Sequence, residues 1–196
     1  MGQRFPTRRG SIVSGAAGAF VLALVPSRLR TEGLSDGVDL GAIAGAITDI
    51  VIRVLVRPDK KDDKRLQSSA ASVSARMTRV AAMTRSFADS LQNMPRRIDE
   101  FPPPAREAAL QELRRIDREI ASLQADLQGV DPHWATSHPE LHIQLFRIRH
   151  GKGLAWAAEY GPDGGSEDID RLRGWMTEEA KKLEDAASAI KAKLRI

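Results

Sequence analysis

All four histidines of this sequence fall between residues 133 and 150, and clustered histidines can bind zinc. His138 and His142 are four residues apart, so on a helix both imidazoles would lie on one face, with His133 and His150 flanking them. The acid between them does not match a zinc protease, because HPELH differs from H-E-x-x-H and helical rotation turns Glu140 away. We therefore treat these histidines as weak metal candidates and expect surface or packing roles for them, without a bound metal.

The rest of the sequence contains no recognisable catalytic motif. Gly151-Lys152-Gly153 lacks the upstream glycine and the following Ser or Thr of a phosphate-binding P-loop, and no G-x-S-x-G elbow is present. Paired acids such as Glu178-Glu179 adjoin lysines, a pattern typical of solvated helix faces. The absence of cysteine removes thiolate nucleophiles, thiolate metal ligands and disulfides. We expect a non-catalytic protein with no catalytic residue and no cofactor.

Small and charged residues recur at every fourth position of the apolar segment 38–57. On a helix they would form one stripe opposite the aliphatic side chains: Gly41, Gly45, Asp49 and Arg53. We predict a helix that packs through this stripe, because glycines four apart allow close approach and the acid and the arginine are spaced for an ion pair. A strand is the alternative for residues 50–56, which are rich in β-branched side chains.

Two apolar segments, 11–25 and 38–57, raise the question of membrane contact. Residues 11–25 would reach roughly 22 Å as a helix, short of the roughly 30 Å hydrocarbon core of a bilayer. In the second segment Asp49 and Arg53 nearly cancel the favourable insertion of the aliphatic side chains. Small residues four apart in each segment suit close packing of the two as a hairpin. Lipid contact through residues 11–56 and burial against helices of this chain or a second copy both stay open.

The net charge of +4 is concentrated at the amino-terminal end. Five arginines and no acid occur in residues 1–30, so residues 31–196 carry a net charge of −1, the total less these five. A duplex-binding protein would be expected to have a basic stripe on its folded body, so nucleic acid is not an expected partner. The arginines beside residues 11–25 suit anionic lipid headgroups or form a solvated tail. Because no A-x-A-like cleavage site follows that segment, we expect a cytoplasmic or membrane-associated protein rather than a secreted one.

Three stretches have the spacing of amphipathic helices that pack on one another. Apolar residues follow alternating steps of three and four in residues 66–94, 109–127 and 169–194. The proline-rich "MPRRIDEFPPP" separates the first two, and "GPDGGS" precedes the last, where Ser166 is the predicted N-cap. A narrow apolar seam stays exposed unless another helix covers it. We therefore predict an all-α fold, with heptad-patterned helices in a bundle or antiparallel coiled coil and an apolar Gly/Ala-rich N-terminal helical region.

Residues 137–161 allow two interpretations. Ser137 and Glu140 have the spacing of a capping box, which predicts a helix that ends at Gly151. Against this, Leu141 and Ile143 alternate with polar residues, and "HGKG" could turn a β-hairpin. We favour the helix and keep a strand within residues 141–160 as the alternative.

These patterns divide the chain into an apolar N-terminal region (1–57), a charged linker (58–65) and a helical domain (66–196). The excess of arginine over lysine and the abundance of alanine suggest a bacterial or phage genome. Our principal hypothesis is a non-catalytic assembly or scaffold protein that works through helix–helix contacts, as a homo-oligomer or with a helical protein partner. One alternative is a membrane-active protein, a small pore-former or membrane-anchored effector whose N-terminal hairpin inserts in the bilayer. Another is a metal- or nucleic-acid-dependent role.

Overall fold

A computed structural model describes residues 38–60, 63–160 and 168–194. These ranges contain seven α-helices and no β-strand, so the predicted all-α class is confirmed. The helices are α1 (Leu40–Leu55), α2 (Lys64–Ser90), α3 (Pro103–Val130), α4 (Trp134–Ser137), α5 (Pro139–Arg149), α6 (Leu154–Tyr160) and α7 (Ile169–Leu194). The strand alternatives for residues 50–56 and 141–160 are wrong, because α1, α5 and α6 occupy them. Residues 11–25 and Ser166 lie outside the described residues, and so do the predictions that concern them.

Helix α1 buries its aliphatic face in the chain's own core. Asp39 caps its first turn by accepting a hydrogen bond from the Ala42 N–H at 2.8 Å. Seven side chains of the helix are buried, mainly against α7: Leu40, Ile43, Ala44, Ile47, Ile50, Val51 and Val54. Burial of each large aliphatic side chain contributes about 1.5–3 kcal/mol, which is enough to hold the helix in place. The aliphatic face that raised the question of lipid contact is thus covered by other helices of the chain.

Helices α2, α3 and α7 form the body of the fold. Helix α2 lies between the other two and packs most extensively against α7. Asp63 caps α2 by accepting from the Arg65 and Leu66 N–H groups at 3.0 and 3.1 Å. The face of α2 that α3 and α7 cover is mainly apolar around its middle, where Val73, Met77 and Val80 are completely buried. The buried Ser74 hydroxyl donates to the carbonyl of Ala187 on α7 at 2.9 Å. Helices α3 and α7 of the described chain therefore cover the apolar face of α2.

The proline-rich connection between α2 and α3 ends the first helix and starts the second. Helix α2 stops at Ser90 and passes through two short 3-10 turns, Leu91–Asn93 and Ile98–Glu100. Pro103 then begins α3, in the first-turn position where a missing N–H has no consequence. The connection is tied to α7, because the Ile169 N–H donates to the Arg96 carbonyl at 2.8 Å and Arg96 pairs with Asp168 at 3.0 Å.

The short helices α4, α5 and α6 form a separate layer on α3. The predicted capping box is wrong: Ser137 ends α4, and His138 occupies the N-cap position of α5 without a side-chain cap. Pro139 explains the break, because the residue before a proline is disfavoured in the helical region. The predicted stop at Gly151 agrees with the structure, since α5 ends at Arg149 and Gly151 has a φ of 79°, which favours glycine.

All the described helices belong to one compact unit, residues 31–196. This unit includes α1, which the sequence placed in a separate N-terminal region. None of the helices that the structure describes combines the length and the apolar character needed to cross a bilayer.

Candidate functional site

A cleft opens where the short helices meet α3. It encloses about 1000 Å³ and is bounded by the middle of α3, the end of α5 and the outer side of α6. Seven of its lining residues are charged or aromatic: Arg114, Asp117, Arg118, Arg149, Trp156, Glu159 and Tyr160. Clefts of this size that combine rings with a few charged groups are the usual form of a small-molecule site.

A buried carboxylate fixes the geometry of the cleft. Asp117 is only 8 % exposed, and its two oxygens accept hydrogen bonds from the Leu154 and Ala155 N–H groups at 2.8 and 3.1 Å. These are the first N–H groups of α6, which lack partners inside their own helix. Asp117 therefore caps α6 from a neighbouring helix and sets the position of the aromatic side chains that α6 carries.

Burial raises the pKa of Asp117 to about 6, while the two backbone hydrogen bonds act in the opposite direction. A raised pKa in a cleft is often a sign of acid–base chemistry. Here each oxygen accepts a hydrogen bond from a backbone N–H of α6, so the carboxylate is anchored to the first turn of that helix. The geometry assigns Asp117 a structural role.

Gly153 makes this cap possible. A Cβ atom at that position would lie 2.3 Å from Oδ1 of Asp117, closer than real Cβ contacts allow. The two glycines of "HGKG" therefore have different roles. Gly151 adopts the left-handed conformation that ends α5, and Gly153 leaves room for the Asp117 carboxylate. The sequence analysis did not identify Asp117. The available signal was its place in α3, where an acid occurs among the apolar positions that face the core.

The arginines of the cleft are incompletely paired. Arg114 contacts Glu107 at 3.1 Å and Glu159 at 3.6 Å. Among the residues that the structure describes, Arg149 reaches only the neutral amide oxygen of Gln124, at 3.4 Å. Within the described chain the Arg118 side chain forms no ion pair and no hydrogen bond. The cleft therefore holds positive charge that the surrounding side chains do not neutralise.

A row of rings crosses the outer face of the same layer. His142 meets Trp134 edge-on with ring centroids 5.7 Å apart, and Phe146 and His150 lie 4.1 Å apart one turn further along. Phe146 is 51 % exposed, and Ile143 beside it is 57 % exposed. Exposed large apolar side chains that adjoin one another mark interaction surfaces more often than isolated ones do. We call Ile143 and Phe146 the apolar pair of α5.

The structure does not gather the predicted histidines into a metal site. His142 and His150 contact aromatic rings, whereas His133 precedes α4 and His138 separates α4 from α5. Among the described residues, no group of three or more His, Cys, Asp or Glu side chains could hold a metal ion. His133, His142 and His150 are exposed, and His138 is half-buried.

The predicted stripe of small and charged residues on α1 contacts α7 at one end and faces solvent further along. The Gly41 N–H donates to the carboxylate of Glu179 on α7, and a Cβ at Gly41 would lie 2.7 Å from Cδ of Lys182. No atom lies within 4 Å of the corresponding point at Gly45, and the Asp49–Arg53 pair is more than half exposed. Close approach through Gly41 is present, and packing through the other three residues stays a prediction.

Glu179 corrects the interpretation of the acids on α7. The sequence placed Glu178 and Glu179 on a solvated face, but Glu179 is only 3 % exposed. It accepts from the first turn of α1 and from Nζ of Lys182 at 2.7 Å, which raises the pKa of that lysine. A buried charge needs such partners to be tolerated, and here they join α1 to α7.

Comparison of the chain with protein families, curated proteins and solved structures found no match.

Proposed function

We propose that this protein is a non-catalytic assembly protein that pairs with a second copy of itself through the outer face of α5. The observation that carries the proposal is the apolar pair of α5, Ile143 and Phe146, which stays exposed although the seams of the long helices are covered. Burial of two such side chains favours association, because the apolar area removed from water contributes about 25 cal/mol per Å².

The charges of α5 support a second copy as the occupant. Glu140, Ile143 and Arg147 lie at i, i+3 and i+7, so they share one stripe of the helix. Neither the acid nor the arginine has an ion-pair partner in the described part of the chain. When two copies of α5 align antiparallel, Glu140 of each lies opposite the partner's Arg147 and the apolar pairs meet in the centre. Such an interface is self-complementary, as two-fold symmetry requires.

The expected association is weak. Helix α5 has 11 residues, a length of about 16 Å, and contacts of that extent fall below the area of stable interfaces. A reversible dimer that forms at high protein concentration is consistent with this size, and further elements can strengthen it.

The membrane-active alternative would require a rearrangement of α1. Its aliphatic face is buried against α7 and, to a smaller extent, against α2 and α3. Insertion of this helix would first have to expose that face and the core beneath it. The apolar pair of α5 needs no such change, which is why we prefer the assembly role.

Sedimentation velocity of the full chain tests the proposal. The wild type should shift from monomer toward dimer as its concentration rises, and the double variant Ile143→Glu/Phe146→Glu should stay monomeric at every concentration. Val56→Glu is the matched control, because Val56 is equally exposed, at 58 %, but lies at the end of α1. A wild type that remains monomeric, or a double variant that associates like the wild type, would refute the proposal.

A further inference from the structure

The cleft between α3, α5 and α6 combines positive charge and ring surfaces in a way that self-association does not use. Arg114 and Arg118 are four residues apart on α3 and share a face, and Arg149 enters the cleft from the end of α5. Guanidinium groups present planar forks of N–H donors that match the oxygens of phosphate. The cleft contains three arginines but only two acids, Asp117 and Glu159, among its described lining residues.

The charges in the cleft leave two of these groups available. Glu159 is engaged by Arg114, and the Asp117 oxygens are turned to backbone N–H groups. Arg118 has no side-chain partner among the described residues, and Arg149 has only the neutral Gln124. An anion that enters can therefore form charge-assisted hydrogen bonds without breaking an existing ion pair.

Ring surfaces border the arginines. Trp156 and Tyr160 lie on the same face of α6, with ring centroids 6.5 Å apart and planes inclined by 39°. Tyr160 is 63 % exposed, so a large part of its ring surface is accessible to a ligand. Flat organic rings stack on such side chains, whereas an inorganic ion gains nothing from them.

We propose that this cleft is a binding site for a phosphate monoester that carries a flat ring, with Arg118 and Arg149 holding the phosphate and Trp156 and Tyr160 contacting the ring. A dianionic phosphate suits two unpaired guanidinium groups better than a single carboxylate does. The volume of about 1000 Å³ accommodates a molecule of nucleotide size. The site is separate from the outer stripe of α5, so its occupancy does not depend on dimer formation.

Calorimetric titration of the full chain tests this site with two probes, adenosine monophosphate and 1-naphthyl phosphate. Each is compared with a molecule that lacks the phosphate (adenosine, 1-naphthol) and with one that lacks the ring (ribose 5-phosphate, inorganic phosphate). We expect both probes to bind, and each incomplete molecule to bind at least about tenfold more weakly, because charge and stacking each contribute that much.

Variants locate the binding. Arg118→Glu and Trp156→Ala should each weaken it by about tenfold or more. Arg115→Ala is the matched control, since Arg115 neighbours the site on α3 but pairs with Glu112 and does not line the cleft. Circular dichroism of every variant establishes that the fold is intact. The proposal is overturned if neither probe binds in the millimolar range, if inorganic phosphate binds as tightly as the probes, or if Arg118→Glu and Arg115→Ala bind alike.

Discussion

The long helices α2, α3 and α7 and the short helices α4–α6 differ in how they cover their apolar faces. The long helices cover one another's apolar faces and add ion pairs across the seams, such as the bidentate contact of Arg85 with Glu184 at 2.6 and 2.8 Å. The short helices cover only their inner faces, and the buried carboxylate of Asp117 holds the first turn of one of them, α6. We expect the first region to supply most of the stability, and the surfaces proposed above for a second copy and for a ligand lie in the second.

We expect apolar burial, rather than ion pairing, to supply most of the stability of the long helices. The ion pairs of the long helices are partly exposed, and such pairs contribute about 0–1 kcal/mol each. Full burial of each large side chain in the seams contributes more, about 1.5–3 kcal/mol. Removing an ion pair should therefore weaken the body much less than placing a charge in a seam.

The largest effect should follow from a charge in the seam of α2. Val80 is completely buried, so Val80→Asp places an unpaired carboxylate in an apolar environment and should destabilise the protein by at least about 4 kcal/mol. Thermal unfolding followed by circular dichroism measures the change. Ala82→Asp is the control, since Ala82 is exposed on the same helix and should change stability little. Equal melting temperatures for the two variants would mean that α2 does not pack in this way.

A smaller effect should follow from crowding the cap of α6. In Gly153→Ala the new methyl group would collide with Asp117, so we expect a loss of about 1–3 kcal/mol and weaker protection of α6 from hydrogen exchange. The control is Gly174→Ala on α7, where no atom lies within 4 Å and alanine, a better helix former by about 1 kcal/mol, should be neutral or stabilising. The contrary result is a Gly153→Ala protein as stable as the Gly174→Ala protein.

The titration of Asp117 should make the stability of the protein depend on pH. Its pKa is raised from 3.8 to about 6, so the folded protein binds this proton more tightly than the unfolded chain does. The stabilisation that results is fully present below pH 4 and is lost as the pH rises through 6. Relative to Asp117→Asn, which cannot titrate, the wild type should gain about 1 kcal/mol between pH 7 and pH 5. Urea unfolding at both pH values measures this gain, and a difference that stays constant or reverses would contradict the assigned environment.

The smallest effect should come from the charges on the outer stripe of α5. Glu140→Arg should weaken the dimer, and adding Arg147→Glu should restore it, because the swapped charges are again opposite one another in an antiparallel pair. An exposed ion pair contributes about 0.5 kcal/mol and the two-fold dimer contains two such pairs, so a change in the dimer dissociation constant of about fivefold is expected. The double variant associating as poorly as Glu140→Arg would argue against the antiparallel alignment. The folded monomer should be equally stable in all three proteins.

The long helices could be predicted from the sequence because each repeats its apolar positions over many turns. The prediction also held for α1, where Gly41 and the aliphatic face have a clear helical period. The start of α5 was predicted wrongly because Pro139 overrides the capping signal of Ser137 and Glu140. A single proline thus outweighed a two-residue motif.

The candidate site could not be predicted in the same way, because its contacts join residues far apart in the chain. Asp117 and Gly153 are 36 positions apart, and no local pattern links an acid on one helix to a glycine in a later turn. Glu179 was assigned to solvent for a similar reason, since only the first turn of α1 makes its burial possible. Such pairings become visible once the topology brings the helices together.

Hydrogen–deuterium exchange at low and high protein concentration tests the central claim most directly. The claim is that α5 provides the surface for self-association while the long helices hold the fold. Peptides from residues 139–149 should gain protection as the concentration rises, and peptides from residues 40–55 and 64–90 should exchange at the same rate throughout. Concentration-dependent protection around Gly41, Gly45, Asp49 and Arg53 with none in α5 would contradict the claim and locate the interface on α1.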